Sequence, residues 1–119
     1  MDTEKTIRAY FDALYGGDWE SLLADDMRFV NNGAASPPGK AAYIEATRRF
    51  TQTAKSVEVK TLLIDGNRAC ALTHYGLVTP KGNTGVCIVA EFFTVDGGKI
   101  RSNEIVFDLA AFRELMAKG

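Results

Sequence analysis

The chain has 119 residues, 46% of them hydrophobic and 24% charged, with a formal net charge of −1. That length suits one domain able to bury a core without staples. Lysines and arginines are scattered rather than clustered, which excludes the basic footprint of a nucleic-acid binder, and no apolar run reaches the roughly 18–20 residues that span a bilayer.

The opening MDTEKTIRAY holds early acids and no apolar core, so it does not read as a secretory signal, and a cytoplasmic protein is expected. Ile7, Tyr10, Phe11 and Leu14 recur at i, i+3, i+4, i+7, which predicts a helix over residues 3–15, capped by Asp2 or Thr3 and ended at Gly16-Gly17. Asp18 can cap a short second helix that buries Trp19, Leu22 and Leu23. Residues 27–31 read as a brief strand, and NNGAASPPG, with Pro37-Pro38, as a loop. A third helix is expected from about Gly39 to Thr53, with Tyr43, Thr47 and Phe50 on one stripe.

The rest reads as β. Val57, Val59, Thr61 and Leu63 alternate, and Asp65-Gly66 turns the chain. Strands over 67–79 and 84–95 are joined by PKGN, and DGGK leads into a strand over 100–107. Both short motifs are hairpin turns rather than phosphate loops, because no helix follows either. Asp108 caps a last helix carrying Leu109, Phe112, Leu115 and Met116. Cys70 and Cys87 form no metal motif and lie far apart along the hairpin, so a disulfide is not expected.

Centring the hairpins on their turns sets an expected register. His74 falls opposite Ile88, Leu72 opposite Ala90, Phe92 opposite Asn103, Ala90 opposite Ile105 and Ile88 opposite Phe107. These residues form one mostly apolar face, expected to meet the helices. The opposite face carries Thr73, Tyr75, Val89, Glu91, Phe93, Glu104 and Val106, too apolar to stand wholly in water, and a second subunit could cover Tyr75, Val89 and Phe93. There Glu91 and Glu104 fall side by side, which reads either as a pair neutralised by Arg68, Arg101 or a partner, or as a carboxylate pair with one raised pKa.

AYFDALYGGDWESLLADDMRF, GKAAYIEATRRF and FFTVDGGKIRSNEIVFD together resemble the nuclear-transport-factor-two-like (SnoaL-like) superfamily, which includes ketosteroid isomerases, limonene-epoxide hydrolases and SnoaL-type polyketide cyclases. The resemblance covers nearly the whole chain, as a single SnoaL-like domain over 1–119. It implies a cystatin-like α+β fold, a cone-shaped barrel in which a curved, mostly antiparallel sheet wraps around the N-terminal helices. It also implies a deep apolar pocket and a homodimer, and no cofactor is expected. Carried over residue by residue, Tyr10 matches the oxyanion-hole tyrosine of the isomerases, while their base falls on Asn31 and their second acid on Ala90. The epoxide hydrolase's asparagine matches Asn31 and its tyrosine becomes Phe29, while its central triad falls on Leu72, His74 and Ile105. The cyclase acid falls near Ile105. No complete catalytic set is present.

What remains on the expected inner face is His74, the only histidine, with Asn31, Asn103 and Tyr10 as orienting groups. An imidazole with an ordinary pKa near 6.5 can move protons at neutral pH. Each also has a bland reading: a hydrogen-bonded core histidine, a turn-forming Asn31, a core tyrosine. The expected ligand contacts are Leu14, Trp19, Phe29, Tyr43, Phe50, Leu72, Ile88, Ala90, Phe92, Ile105 and Phe107. The expected function is binding of a small apolar molecule, with acid–base isomerase, cyclase or hydrolase chemistry. The alternative is a non-catalytic binding or dimerisation module. No metal, nucleic acid or membrane partner is expected.

Overall fold

The structure is a computed structural model and describes residues 2–118. Helix α1 spans Thr3–Ala13, and the carboxylate of Asp2 accepts a hydrogen bond from the Lys5 amide at 2.8 Å to cap it. Its apolar stripe buries Ile7, Tyr10 and Phe11. Gly17 turns the chain so tightly that a β-carbon there would lie 2.9 Å from the Ala13 backbone. The expected short helix is a single 3-10 turn, Glu20–Leu22, that leaves Trp19 packed edge-on against Tyr10.

Strand β1 runs over Leu23–Asn31, four residues earlier than its sequence signal, because Leu23, Ala24, Met27 and Phe29 are all buried along it. Two residues of the expected loop, Ala34–Ala35, form the edge strand β2. Helix α2 spans Lys40–Phe50. Strands β3 (Ala54–Asp65), β4 (Arg68–Val78), β5 (Thr84–Asp96) and β6 (Lys99–Phe107) follow, and α3 (Leu109–Lys118) closes the chain.

The six strands form one sheet in the order β2-β1-β6-β5-β4-β3, with all pairs antiparallel except β1 beside β6. The fold is therefore α+β, as expected, but the sheet stays open, with β2 and β3 at its edges, rather than closing into a barrel. Cys70 and Cys87 are free and sit on opposite faces. No helix among the described residues is long and apolar enough to cross a membrane.

The expected register holds between β4 and β5: Leu72 faces Ala90 and His74 faces Ile88. Between β5 and β6 it holds only beside the turn, where Asp96 pairs with Lys99 and Val95 with Ile100. A β-bulge at Arg101 then shifts everything beyond it by one. Phe93, not Phe92, stands opposite Asn103, Glu91 opposite Ile105, and Val89 opposite Phe107.

One residue of slip flips a strand's faces. Ala71, Thr73, Tyr75, Val89, Glu91 and Phe93 are buried inward beside Asn103. Leu72, His74, Ile88, Ala90 and Phe92 face outward, which corrects their expected inner placement. Tyr75, Val89 and Phe93 are core, so they are not the surface a partner would cover. Glu104 stands opposite Phe92 on the outer face while Glu91 points inward, so the two glutamates are not a pair.

Candidate functional site

Between the helices and the inner face of the sheet lies a cavity of about 100 Å³. Its deep end is polar. Tyr10 from α1, Tyr43 from α2, Glu91 from β5 and Asn103 from β6 are each no more than 3% exposed and all line it. Its outer part is apolar and half-buried: Ala46, Thr47, Phe50 and Thr51 at the end of α2 face Ile105 and Phe107 at the end of β6. Phe112 of α3 packs against both Phe50 and Phe107, ring centres 6.1 and 5.9 Å away, so the last helix flanks this end.

Glu91 is the centre of a hydrogen-bond network. One carboxylate oxygen accepts from the Thr73 hydroxyl at 2.8 Å and the Tyr75 hydroxyl at 2.7 Å; the other accepts from Asn103 Nδ2 at 3.1 Å. Asn103 Nδ2 also donates to the Tyr43 hydroxyl at 3.0 Å, and Tyr43 shares a 2.5 Å hydrogen bond with Tyr10. Four side chains from three elements, Thr73 and Tyr75 on β4, Tyr43 on α2 and Tyr10 on α1, are thus linked to one buried carboxylate and its amide neighbour.

Burial pushes the Glu91 carboxyl above its ordinary 4.5, against the opposing pull of Tyr75, Asn103 and Thr73. Three neutral donors offset only part of the cost of removing a charge from water, and among the described residues lining the cavity there is no Lys, Arg or His to supply the rest. The same burial and the Glu91 charge push Tyr43 and Tyr75 upward. Tyr10 is raised first by burial, and Cys87, on the wall, rises to about 11. The tyrosines are thus neutral donors, and Glu91 is the one group poised to exchange a proton.

Of the residues expected at the site, Tyr10, Asn31, Asn103, Leu14, Phe29, Tyr43, Phe50, Ile105 and Phe107 line the cavity. Trp19 lies behind Tyr10 in the core. His74, Leu72, Ile88, Ala90 and Phe92 do not reach the cavity, because they sit on the other face of the sheet. His74 is half-buried there opposite Glu58, whose carboxyl is held down first by Lys60 and in smaller part by His74. Ala90, where the resemblance put an acid, points outward; Glu91, one residue on, is the acid that points in. Glu91, Tyr75 and Thr73 are the polar residues whose inward placement the sequence reading missed. An acid in the middle of a strand between Val89 and Phe93 is the signal that could have marked Glu91.

Several solved structures share this fold. A candidate SnoaL-like polyketide cyclase from Jannaschia sp. CCS1 superposes with a TM-score of 0.84 at 16% identity, over 98% of this chain and 92% of that one. A protein with a ketosteroid isomerase-like fold from Catenulispora acidiphila, solved with trimethylamine, gives 0.77 at 16% identity, over 97% and 94%. TerC, co-crystallised with polyporic acid, gives 0.77 at 18% identity, over 97% and 98%. Comparison with curated protein sequences yields no significant match. The SnoaL-like domain model matches residues 7–103, which include α1 from Ile7 onward, the sheet up to Asn103 and the full polar network, and the chain therefore belongs to the SnoaL-like domain family.

Proposed function

We propose that the cavity binds a small, mainly apolar molecule and that Glu91 moves a proton on or off it, in an isomerase, cyclase or hydrolase type of reaction. One observation carries this reading: a carboxylate, 3% exposed and with no cation beside it, at the polar end of a cavity whose outer part is apolar. Such a group keeps the cost of its burial only where function repays it, and its raised pKa brings it toward the range useful for general acid–base work. Tyr10 and Tyr43 are the donors that can stabilise an oxyanion, Asn103 orients, and Asn31 contacts the ligand near Ile105. His74 has no part in this site. The relatives solved with polyporic acid and with trimethylamine support small-molecule binding within this fold. An engineered apolar cavity of about 150 Å³ admits benzene, so about 100 Å³ suits a smaller guest as it stands, and a ring the size of benzene or cyclohexanone enters with Phe50 and Phe107 yielding.

The test is hydrogen–deuterium exchange in D₂O at the carbon beside the carbonyl of small cyclic ketones and lactones, followed by proton NMR. The wild type should catalyse exchange; Glu91→Gln should bind the same probes within a few-fold and lose it. Exchange that persists in Glu91→Gln would sink the acid–base assignment, and failure of every probe to bind would sink the cavity assignment.

A specific observation favours a second copy of the chain as partner. Ile88, Phe92 and Val106 are 53%, 48% and 49% exposed on the outer sheet face, with Leu72 beside them. An apolar patch on a sheet face is the kind of surface that self-associates. We infer a homodimer through this face, checked by sedimentation at micromolar concentration.

A further inference from the structure

Asn103 is 1% exposed, yet its Oδ1 has no hydrogen-bond partner, the one such buried side-chain atom among the described residues. Buried acceptors are rarely left unpaired, and an orphan in the middle of an otherwise satisfied network calls for an explanation. Both Nδ2 hydrogens are committed, one to Glu91 and one to Tyr43. The amide therefore stands with its donors turned toward the network and its acceptor turned away.

Donor counting explains that orientation. Glu91 faces three donors, Tyr75, Asn103 and a Thr73 hydroxyl whose one hydrogen is shared with the Val89 carbonyl at 3.1 Å, which is a setting that suits an ionised carboxylate. A proton added to Glu91 has two places: on Oε2 the Thr73 oxygen can accept it while its hydroxyl donates to the Val89 carbonyl, and Asn103 stays still; on Oε1, which faces Asn103, it would point at an NH₂ group, which cannot accept it. Rotation of the amide by half a turn about its Cβ–Cγ bond removes the clash. Oδ1 then faces the network and accepts from both Glu91 and Tyr43.

We propose that Asn103 ties the direction of the tyrosine hydrogen bonds to the charge of Glu91, so that the resting cavity offers a phenolic donor and selects a carbonyl compound. This rests on the reading of Glu91 as the proton-exchanging group. With Glu91 ionised, Tyr43 accepts from Asn103, and the Tyr10–Tyr43 bond uses one of the two phenolic hydrogens. One phenolic hydrogen is left over, on a residue that lines the cavity. With Glu91 neutral and the amide turned, Tyr43 donates to Oδ1 and Tyr10 donates to Tyr43, and none is left over. The proton balance is simple: one proton enters on the carboxylate, no covalent bond in Asn103 or the tyrosines changes, and only hydrogen-bond directions reverse. Asn103 is a positioning residue in this scheme.

The groups facing Glu91 do not compete for the effect. Tyr10 on α1, Tyr43 on α2, Tyr75 on β4 and Cys87 on β5 all hold their protons above the ordinary range, so they stay neutral at neutral pH and below, and Glu91 is the group among them that can change charge there. Asp108, at the start of α3, acts on Cys87.

Two readouts test the proposal in the full chain. In the first, the side-chain NH₂ resonances of Asn103 and the carboxyl carbon of Glu91 are followed by NMR against pH. Both should move with one midpoint, and Glu91→Gln should abolish the movement, because a glutamine does not ionise and can keep its carbonyl toward the Asn103 NH₂ while its own NH₂ donates to the Thr73 and Tyr75 oxygens. If Glu91 titrates while Asn103 stays still, the coupling is overturned and the acid–base reading survives. If Glu91 does not titrate while the protein is folded, both fall. In the second, cyclohexanone serves as a carbonyl probe. Its affinity should drop roughly tenfold, the worth of one hydrogen bond, as pH falls through the Glu91 midpoint, and should be independent of pH in Glu91→Gln. Unchanged affinity across the midpoint, or no binding at any pH, overturns selection of a carbonyl ligand.

Discussion

Replacing Glu91 by glutamine should change how stability depends on pH, and the sign is opposite to that of most acidic residues. Paired carboxylates usually have depressed pKa values and stabilise a fold above about pH 4. Glu91 is raised by burial, so the folded protein binds its proton more tightly than the unfolded chain does. Its contribution is therefore fully present below its ordinary value of 4.5 and is lost as pH rises through the folded pKa. The slope between those limits approaches about 1.4 kcal/mol per pH unit for one proton. A domain of this kind is stable by about 5–15 kcal/mol in total, so the effect is large enough to measure. Three hydrogen bonds to the ionised form, each worth about 1.5–3 kcal/mol, work against the shift and keep the ionised protein folded.

Urea unfolding of the wild type and Glu91→Gln from about pH 4 to 8, read by the fluorescence of Trp19, isolates the effect. Trp19 is the only tryptophan and is buried against Tyr10. Asp25 and Glu58 have lowered pKa values and give slopes of the opposite sign, but they lie on the surface away from Glu91 and are common to both proteins. They cancel in the difference. The stability of the wild type relative to Glu91→Gln should fall as pH rises above 4.5 and then level off. A difference that is flat or that rises with pH would refute the claim that burial outweighs the three donors.

Three other outcomes follow from the same geometry. Tyr43→Phe strips the shared partner of Tyr10 and Asn103, both buried, and should cost about 2 kcal/mol, seen as a lower thermal midpoint. His74→Gln, on the outer face, should stay within about 0.5 kcal/mol of wild type and leave catalysed exchange unchanged. Phe92→Asp should convert a dimer to monomers in sedimentation while the cavity still binds its probes, because Phe92 is 48% exposed on the opposite side of the sheet.

The helices were legible because their signals are local. A stripe of Ile7, Tyr10 and Phe11 with an Asp2 cap needs no tertiary information, and Tyr43, Thr47 and Phe50 fall on the inner face of α2 as their spacing requires. The β4–β5 register was legible for the same reason: the short turn over residues 79–83 sets it, and no bulge intervenes. The site was less so. Which face of β4 and β5 turns inward depends on how β6 pairs with β5, and that pairing contains an extra residue that nothing in GGKIRSNEIVF announces. Apolar content could not arbitrate, because the outer face carries Leu72, Ile88 and Phe92 and is nearly as apolar as the inner one. Histidine consequently looked like the chemical residue and glutamate like a surface one, and the bulge reverses them.

That bulge is also what assembles the site. Ile100 and Asn103 are three residues apart on β6 and both buried, which a regular strand cannot achieve with a period of two. The extra residue, Arg101, leaves the ladder and turns to solvent, where its guanidinium lies 3.3 Å from both Asp26 and Asp96. With regular pairing Asn103 would stand beside Phe92, away from Glu91. Glu91 would then keep only Thr73 and Tyr75, and Tyr43 would lose its amide donor. A single inserted position therefore decides whether the buried carboxylate has a neighbour able to answer a change in its charge. Bulges serve elsewhere to re-aim a side chain beside a functional site. Here the re-aimed side chain is the amide that joins the acid on the sheet to the two tyrosines on the helices.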